Sequence, residues 1–363
     1  MAEIKLTQSP ASVSYCSSLK DDVWHDLAEP CAFESWHFGA VSDDGREALV
    51  IAFHDNYPLS PRYFEYAQKI SSSNGDNSGH KARFPAVSFF YSVNGKLILG
   101  SVIEFRADEF HATRGRVGCS IGKSSFAVDE AEYGSGFIVR LDLPVARKRR
   151  IKAELEWVSV ESDLLPPGTN SAKTTWNMVS PRSDVSGRIM LVGRRGATRK
   201  RINFRGTGYH DHFRSDDLLR ETSGERYWGR AHFVDSTVIF SRESIEGNTT
   251  AKLFLIRNGG IHQREVFSEE KELTRDRYGL KIARQVSFVS DDSIKLRVKP
   301  LSMIRSGFSD VAMLSEITLG LRDGKPRKTI GITEFTKPGR MANGVLRWLS
   351  DLRIGKDGRS PLF

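Results

Sequence analysis

The chain has 363 residues, 39% hydrophobic and 27% charged, the make-up of a folded globular protein rather than a disordered or fibrous one. That length suits two domains, each large enough to bury its own core. Lys and Arg outnumber Asp and Glu by 54 to 45, for a net charge of +9; the basic residues are spread along the chain, which argues against a nucleic-acid surface and leaves peripheral contact with a membrane open.

The first ten residues, Met1 to Pro10, have neither a basic start nor an apolar run, so no secretory signal is expected. No later stretch approaches the ~20 apolar residues that cross a bilayer. Cys16, Cys31 and Cys119 are odd in number and irregularly spaced, which supports neither a disulfide framework nor a paired-cysteine metal site. A cytoplasmic protein is expected.

Hairpin signals begin at Trp36–Val41 and Ala48–Phe53, which flank Asp44-Gly45. They recur at Val87–Val93 and Leu97–Leu99 around Asn94-Gly95, at Lys252–Ile256 and Ile261 around Asn258-Gly259, and at Ile317–Leu321 and Thr329–Thr333 around Asp323-Gly324. Alternating strands are predicted at Phe137–Leu143, Ile151–Trp157 and Ile294–Val298, each with one polar face. Helical periodicity is confined to Ser60–Ile70, begun by Pro61, and to Ala342–Leu352. Ser71–Gly79 reads as a polar surface loop, and Leu164–Asn170 as a turn or linker. Hairpins without a strand–helix alternation predict an all-β fold of antiparallel barrels or sandwiches with few short helices. The crossing between domains is expected between about 165 and 205, which gives domains at 25–190 and 191–355.

The central string Gly206-Thr-Gly-Tyr-His-Asp-His212 puts a phenol, two imidazoles and a carboxylate on one predicted strand. Alternation places Tyr209 and Asp211 on one face and His210 and His212 on the other, and only one of these pairs is expected to face the interior. A His-X-His pair can bind a metal from one strand face, but it needs a third ligand. His37, His54 and His232 are candidates by composition alone, so no metal site is expected.

Taken in order, Glu34-Ser-Trp-His-Phe38, Ser42-Asp-Asp-Gly45, Ser60-Pro-Arg-Tyr63, Trp176 with Ser180-Pro-Arg182, Val185-Ser-Gly187, Gly208-Tyr-His-Asp-His212 and Tyr227-Trp-Gly229 resemble the carotenoid 1,2-hydratase (hydroxyneurosporene synthase) family and its AttH-like relatives. The string continues here as Phe213-Arg-Ser-Asp, where family members often carry Asn-Trp-Gly. The resemblance implies two lipocalin-like β-domains holding a long apolar ligand between them, with no metal or organic cofactor. It implies either hydration of the terminal double bond of an isoprenoid or, as in related fungal proteins, Diels–Alder cyclisation of a polyene.

Alkene hydration needs a shielded acid. Burial raises a carboxyl pKa, so Asp211 in an apolar pocket is the first candidate proton donor, Glu34 the second, and Tyr209, His210 and His212 their catalytic neighbours. Trp36, Phe38, Trp176, Trp228 and His232 are the candidate substrate-binding residues, the tryptophans offering π-faces to a developing cation. Arg147–Arg150, Arg194-Arg195 and Arg199–Arg201 read as solvated turns, without the aromatic platform of a nucleic-acid binder. Gly193-Arg-Arg-Gly196 lacks the setting of a phosphate loop. The expected partner is a hydrophobic small molecule, polyene or isoprenoid, and the expected protein is a cofactor-independent hydratase or cyclase. Its alternatives are a pericyclase acting by substrate folding and hydrogen bonding, and a non-catalytic lipid carrier.

Overall fold

The computed structural model describes residues 13–72, 82–131, 134–168, 172–219, 224–290, 294–322 and 324–361. Strand makes up 63% and helix 8%, and the strands form two curled antiparallel sheets, as the hairpin pattern predicts. The first sheet holds β1 (Val13–Cys16), β2 (Phe33–Ser42), β3 (Glu47–His54), β4 (Ala86–Val93), β5 (Lys96–Glu104) and β6 (Phe110–Thr113). It continues with β7 (Arg116–Ile121), β8 (Ser124–Ala131), β9 (Gly134–Val145), β10 (Arg149–Glu161), β11 (Thr174–Val192) and β12 (Thr198–Ser215). Its order is β5-β4-β3-β2-β12-β11-β10-β9-β8-β7-β6. β1 lies parallel to the start of β11, on the edge that β10 leaves free below Arg182.

The second sheet holds β13 (Glu225–His232), β14 (Thr237–Ile245), β15 (Asn248–Arg257), β16 (Gly260–Glu265) and β17 (Phe267–Arg275). It is completed by β18 (Lys281–Val289), β19 (Lys295–Ser306), β20 (Asp310–Gly320) and β21 (Arg327–Thr336), in the order β16-β15-β14-β13-β21-β20-β19-β18-β17. The sequence predicts a boundary at 190/191, but strand pairing runs straight through that position: β11 and β12 are a hairpin of the first sheet. The long two-strand ribbon hides the change of sheet, which comes only between Ser215 and Glu225. We propose that the domain boundary lies there.

The turns follow the sequence chemistry. Asn94-Gly95 and Asn258-Gly259 have φ of 48° and 73°, and of 53° and 71°, the paired positive values that a two-residue hairpin needs. The basic Arg147-Lys148 pair forms the exposed β9–β10 turn, as expected. Helix α1 (Pro61–Ser72) starts with Ser60 Oγ accepting from Tyr63 N at 3.1 Å, and α2 (Gly344–Leu352) with Asn343 Oδ1 accepting from Val345 and Leu346 N. Most of the predicted 71–79 loop and Asp323 lie outside the described residues. No helix among the described residues is long and apolar enough to cross a membrane.

Each sheet curls around its own core. Trp36, Phe38, Phe126, Phe137 and Trp157 fill the first, and Tyr227, Phe240, Leu253 and Phe288 fill the second. β10 shows the one-sided case: Ile151, Ala153, Leu155 and Trp157 are buried between exposed Lys152, Glu154 and Glu156. Where the convex faces of the two sheets meet, strands are covered on both sides. Phe33, Trp176, Tyr209, Phe213, Trp228 and Phe254 form one cluster there, and Val50, Ile304, Leu314 and Ile332 another. Every residue of β12 from Gly208 to Ser215 is therefore buried.

Gly39 makes this junction close. It pairs with Tyr209, and a Cβ added to it would lie 1.7 Å from Nη2 of Arg230, a residue of the second sheet that is 2% exposed. Arg230 Nη1 is held by Glu334 Oε1 at 3.0 Å, so the guanidinium cannot swing away without breaking a buried ion pair. Gly39→Ala is expected to cost about 1–3 kcal/mol through overpacking, read as a lower urea midpoint at unchanged slope. An unchanged midpoint would mean that Arg230 has another place to sit.

Candidate active site between the sheets

The double burial of β12 gives both faces of its central string an interior. Tyr209, Asp211 and Phe213 point to the junction of the sheets, while His210, His212 and Arg214 point into the first sheet. The expectation that only one pair would be inside is thus corrected: the alternation holds, but both faces are buried. β2, the antiparallel neighbour, splits the same way. Phe33, Ser35 and His37 face the junction, and Glu34, Trp36 and Phe38 face the core of the first sheet.

Asp211 is 1% exposed and sits opposite His37 in the β12–β2 pairing. Its Oδ1 lies 3.0 Å from His37 Nδ1, and its Oδ2 accepts from Trp176 Nε1 at 2.9 Å. Burial pushes the Asp211 pKa up, but the His37 hydrogen bond and charge, the Trp176 bond and the Arg230 guanidinium together outweigh it. The group ends below the ordinary carboxylate range. This overturns the expectation of a burial-raised carboxylic acid, because three donors and cations from elsewhere in the chain converge on a group whose own strand neighbours, His210 and His212, point to the opposite face. An ionised Asp211 fixes the proton of His37 on Nδ1. That leaves Nε2 without a protein hydrogen bond among the described residues.

Asp211 and His37 both line a cavity between the sheets, walled also by Ser35, His54, Trp176, Phe213, Arg226, Trp228, Arg305 and Glu334. It leaves about 80 Å³ for the centres of water-sized molecules. A second chamber of about 230 Å³ shares Tyr57, Leu59 and Arg305 with it as walls and continues past Phe90, Val102 and Met341. Ser35 Oγ and His54 Nδ1 are 2.7 Å apart. Burial, then the charges of His37 and Arg305, hold the His54 pKa well below its usual value, so this imidazole is neutral. Tyr209 stands behind the cavity wall, with its hydroxyl buried and without a hydrogen bond. Burial and the Asp211 charge push its pKa well up, so it is a neutral phenol.

Trp176 and Trp228 meet edge to face at 5.6 Å. Arg226 lies 4.7 Å from the Trp176 ring and 4.5 Å from the Phe213 ring, and Arg230 lies 4.8 Å from the Trp228 ring. Trp36 and Phe38 are not in this cavity. They stack on His212 at 4.5 Å and on His210 at 3.9 Å inside the first sheet, a correction that follows from strand parity. His232 also stands apart from the cavity walls, bonded to Thr237 Oγ1 at 3.2 Å, and burial with the charges of Arg182 and Arg230 lowers its pKa to about 3.

Glu34, His210 and His212 come together elsewhere. Glu34 is 0% exposed on the core side of β2, 3.1 Å from His212 Nε2 and 3.0 Å from His25 Nδ1. Burial raises its pKa, but His212 and His25 outweigh that and hold it low, so Glu34 is not the neutral acid expected of a second proton donor. His210 bonds Asp22 Oδ2 at 3.0 Å and the backbone oxygen of His37 at 2.9 Å. His37, His54, Arg226, Arg305 and Glu334 are the wall residues that sequence reasoning missed as a group. For His37 a signal existed: it shares strand parity with Phe33 and Ser35, and it is out of step with Trp36. Arg226 stands directly before the Tyr227-Trp-Gly229 motif, whereas Arg305 comes from a strand with no motif.

No protein-family model matches the sequence. Over 349 residues, 93% of this chain and 90% of the relative, the chain is 20% identical to a protein named hydroxyneurosporene dehydrogenase from Chlorobaculum tepidum. An AttH-like protein from Nitrosomonas europaea superposes with a TM-score of 0.60 at 15% identity, covering 91% of this chain and 99% of that one. CghA, solved with Sch210972, gives 0.58 at 14% over 92% and 96%. Kievitone hydratase from Nectria haematococca gives 0.55 at 8% over 90% and 97%. The resemblance read from the ordered motifs holds, and the chain has the AttH-like, lipocalin-like fold over nearly its whole length.

Proposed function

Starting from that shared fold, we propose that this chain is a hydratase- or cyclase-type enzyme. It draws the end of a hydrophobic polyene or isoprenoid into the cavity between its sheets, where the His37–Asp211 pair handles the proton. The observation that carries this reading is the buried Asp211 carboxylate, tied to His37 and Trp176 on the wall of a partly apolar cavity. The inner chamber suits the end of a chain, and the second chamber suits the rest. In hydration, the His37 imidazolium gives its Nε2 proton to one alkene carbon. Water then bonds the resulting tertiary cation and returns a proton to His37, for a net gain of one water. Asp211 stays ionised, sets the tautomer and supports the imidazolium charge; Tyr209 is a neutral phenol behind it. This chemistry calls for no cofactor.

A second reading has its own support. The guanidiniums of Arg226 and Arg230 already occupy the Trp176 and Trp228 rings, where a carbocation would meet like charge. That favours a cyclisation in which the cavity folds the polyene into a reactive conformer. Incubation with candidate polyenes and isoprenoids, followed by mass spectrometry of the extract, separates these readings. A product heavier by one water supports hydration, and an isomer of unchanged mass supports cyclisation. One retained equivalent of unaltered ligand, with no product, would overturn both in favour of a carrier.

A further inference from the structure

On the other face of β2 and β12, away from the His37–Asp211 pair, lies a cluster with no part in that chemistry. We propose that His25 Nδ1, Glu34 Oε2 and His212 Nε2 hold a divalent transition-metal ion of the zinc class inside the first sheet. The three atoms lie within 4.8 Å of one another. Glu34 Oε2 is 3.0 Å from His25 Nδ1 and 3.1 Å from His212 Nε2. Ligands around a tetrahedral ion with bonds near 2.0–2.1 Å stand roughly 3.3 Å apart. Two imidazoles and a carboxylate are the donor set that zinc, cobalt and nickel ions take.

Two further observations point to an ion. His212 is 1% exposed, yet neither of its ring nitrogens makes a hydrogen bond, and Asp22 Oδ1 is also buried without one. His212 Nε2 stands 3.1 Å from Glu34 Oε2, close to the spacing of two ligands on one tetrahedral ion. Such unmade buried bonds are costly and rare. The second nitrogen of each histidine faces a carboxylate: His25 Nε2 is 3.3 Å from Asp21 Oδ1, and His212 Nδ1 is 3.5 Å from Asp22 Oδ1. That carboxylate–histidine arrangement orients imidazoles on metals.

The charge count agrees. Asp21, Asp22 and Glu34 are three negative groups. Among the described residues Arg214, with Nη1 3.1 Å from Asp21 Oδ2, is the one guanidinium or ammonium paired with them. With both ligand imidazoles neutral, as metal binding requires, a divalent ion closes the difference. Arg214 Nη1 also crowds His25 Nε2. Metal on Nδ1 keeps the proton on Nε2 for Asp21, so Arg214 would turn wholly to Asp21 Oδ2. The backbone N–H of His25 donates to both Glu34 oxygens, at 3.0 and 3.1 Å, and so holds the carboxylate in place. The ion would pin the segment before β2 to β2 and β12.

The full chain, stripped with a chelator and dialysed against Co²⁺ or Zn²⁺, is expected to take up one ion per chain by elemental analysis. A cobalt visible spectrum of low coordination number and a raised melting temperature should accompany it. His25→Gln, at a partly exposed position, should weaken binding by at least about 100-fold, and Asp21→Asn by about 10- to 100-fold. His111→Gln, at an exposed histidine outside the cluster, should bind as the parent does. Should His25→Gln not fold, the Asp21→Asn result and the parent's stoichiometry carry the test. A stripped parent that binds no stoichiometric ion, or variants that bind as tightly as the parent, would overturn the site.

Discussion

Asp211→Asn is expected to lower turnover by about 10²–10⁴-fold while leaving the circular dichroism spectrum and the sheet junction intact. The amide still accepts from Trp176 Nε1, now at 2.9 Å from Oδ2, and it fills the same volume. What goes is the negative charge 3.0 Å from His37 Nδ1, which sets the imidazole tautomer and supports its protonated form. Stability gives an independent reading of that charge. The folded pKa of Asp211 lies below its unfolded value of 3.8. A carboxylate with a depressed folded pKa contributes stability that is complete above the unfolded value and is lost as pH falls through the folded one. Urea midpoints of parent and variant should therefore be furthest apart above pH 3.8 and converge in more acidic solution. Wild-type turnover in the variant would remove Asp211 from the mechanism, and a gap that widens on acidification would contradict an ionised Asp211.

Trp36→Ala is expected to cost about 3–5 kcal/mol, the largest loss of stability among the residues discussed. The indole is 0% exposed and stacks on His212 at 4.5 Å with 23° between the planes. It packs near Phe126 at 5.7 Å, and its Nε1 donates to the backbone oxygen of Asp22 at 3.3 Å. Truncation leaves a hole in the core, an unpaired acceptor and an imidazole without its stacking partner. Chemical denaturation should show the loss directly. A variant as stable as the parent but impaired in turnover would instead make Trp36 a wall of the ligand cavity, against its position on the core side of β2.

The sequence made local features readable and left the meeting of distant ones hidden. Asn94-Gly95 and Asn258-Gly259 announce their hairpins because few other dipeptides accept two successive positive φ values. Pro61 after Ser60 marks a helix start for an equally local reason. The parity of Tyr209 with Asp211 and of His210 with His212 was also legible. That both pairs are buried was not, because a second sheet covers the convex face only after long-range assembly. The same limit hid the cavity: Arg305 comes from β19, with nothing in its neighbourhood to tie it to Asp211, and Arg226, although it adjoins the Tyr227-Trp-Gly229 motif, has no local sign that it reaches the same wall. Asp21, Asp22 and His25, before β2, carry no strand pattern that would bring them to Glu34 and His212. The ionised state of Asp211 depends on His37, 174 positions away, and burial alone suggests the opposite.

The two-sided packing of β2 and β12 has a consequence for how this protein can change over time. Because side chains alternate, inserting or deleting one residue within β12 ahead of position 209 would slide the strand by one step. It would send the imidazoles into the ligand chamber and the carboxylate into the aromatic core. Point substitutions can be absorbed one at a time here, whereas a single-codon gain or loss would exchange both interiors at once. Natural length variation should accordingly fall in exposed connections such as Arg194–Gly196 and spare the two central ribbons.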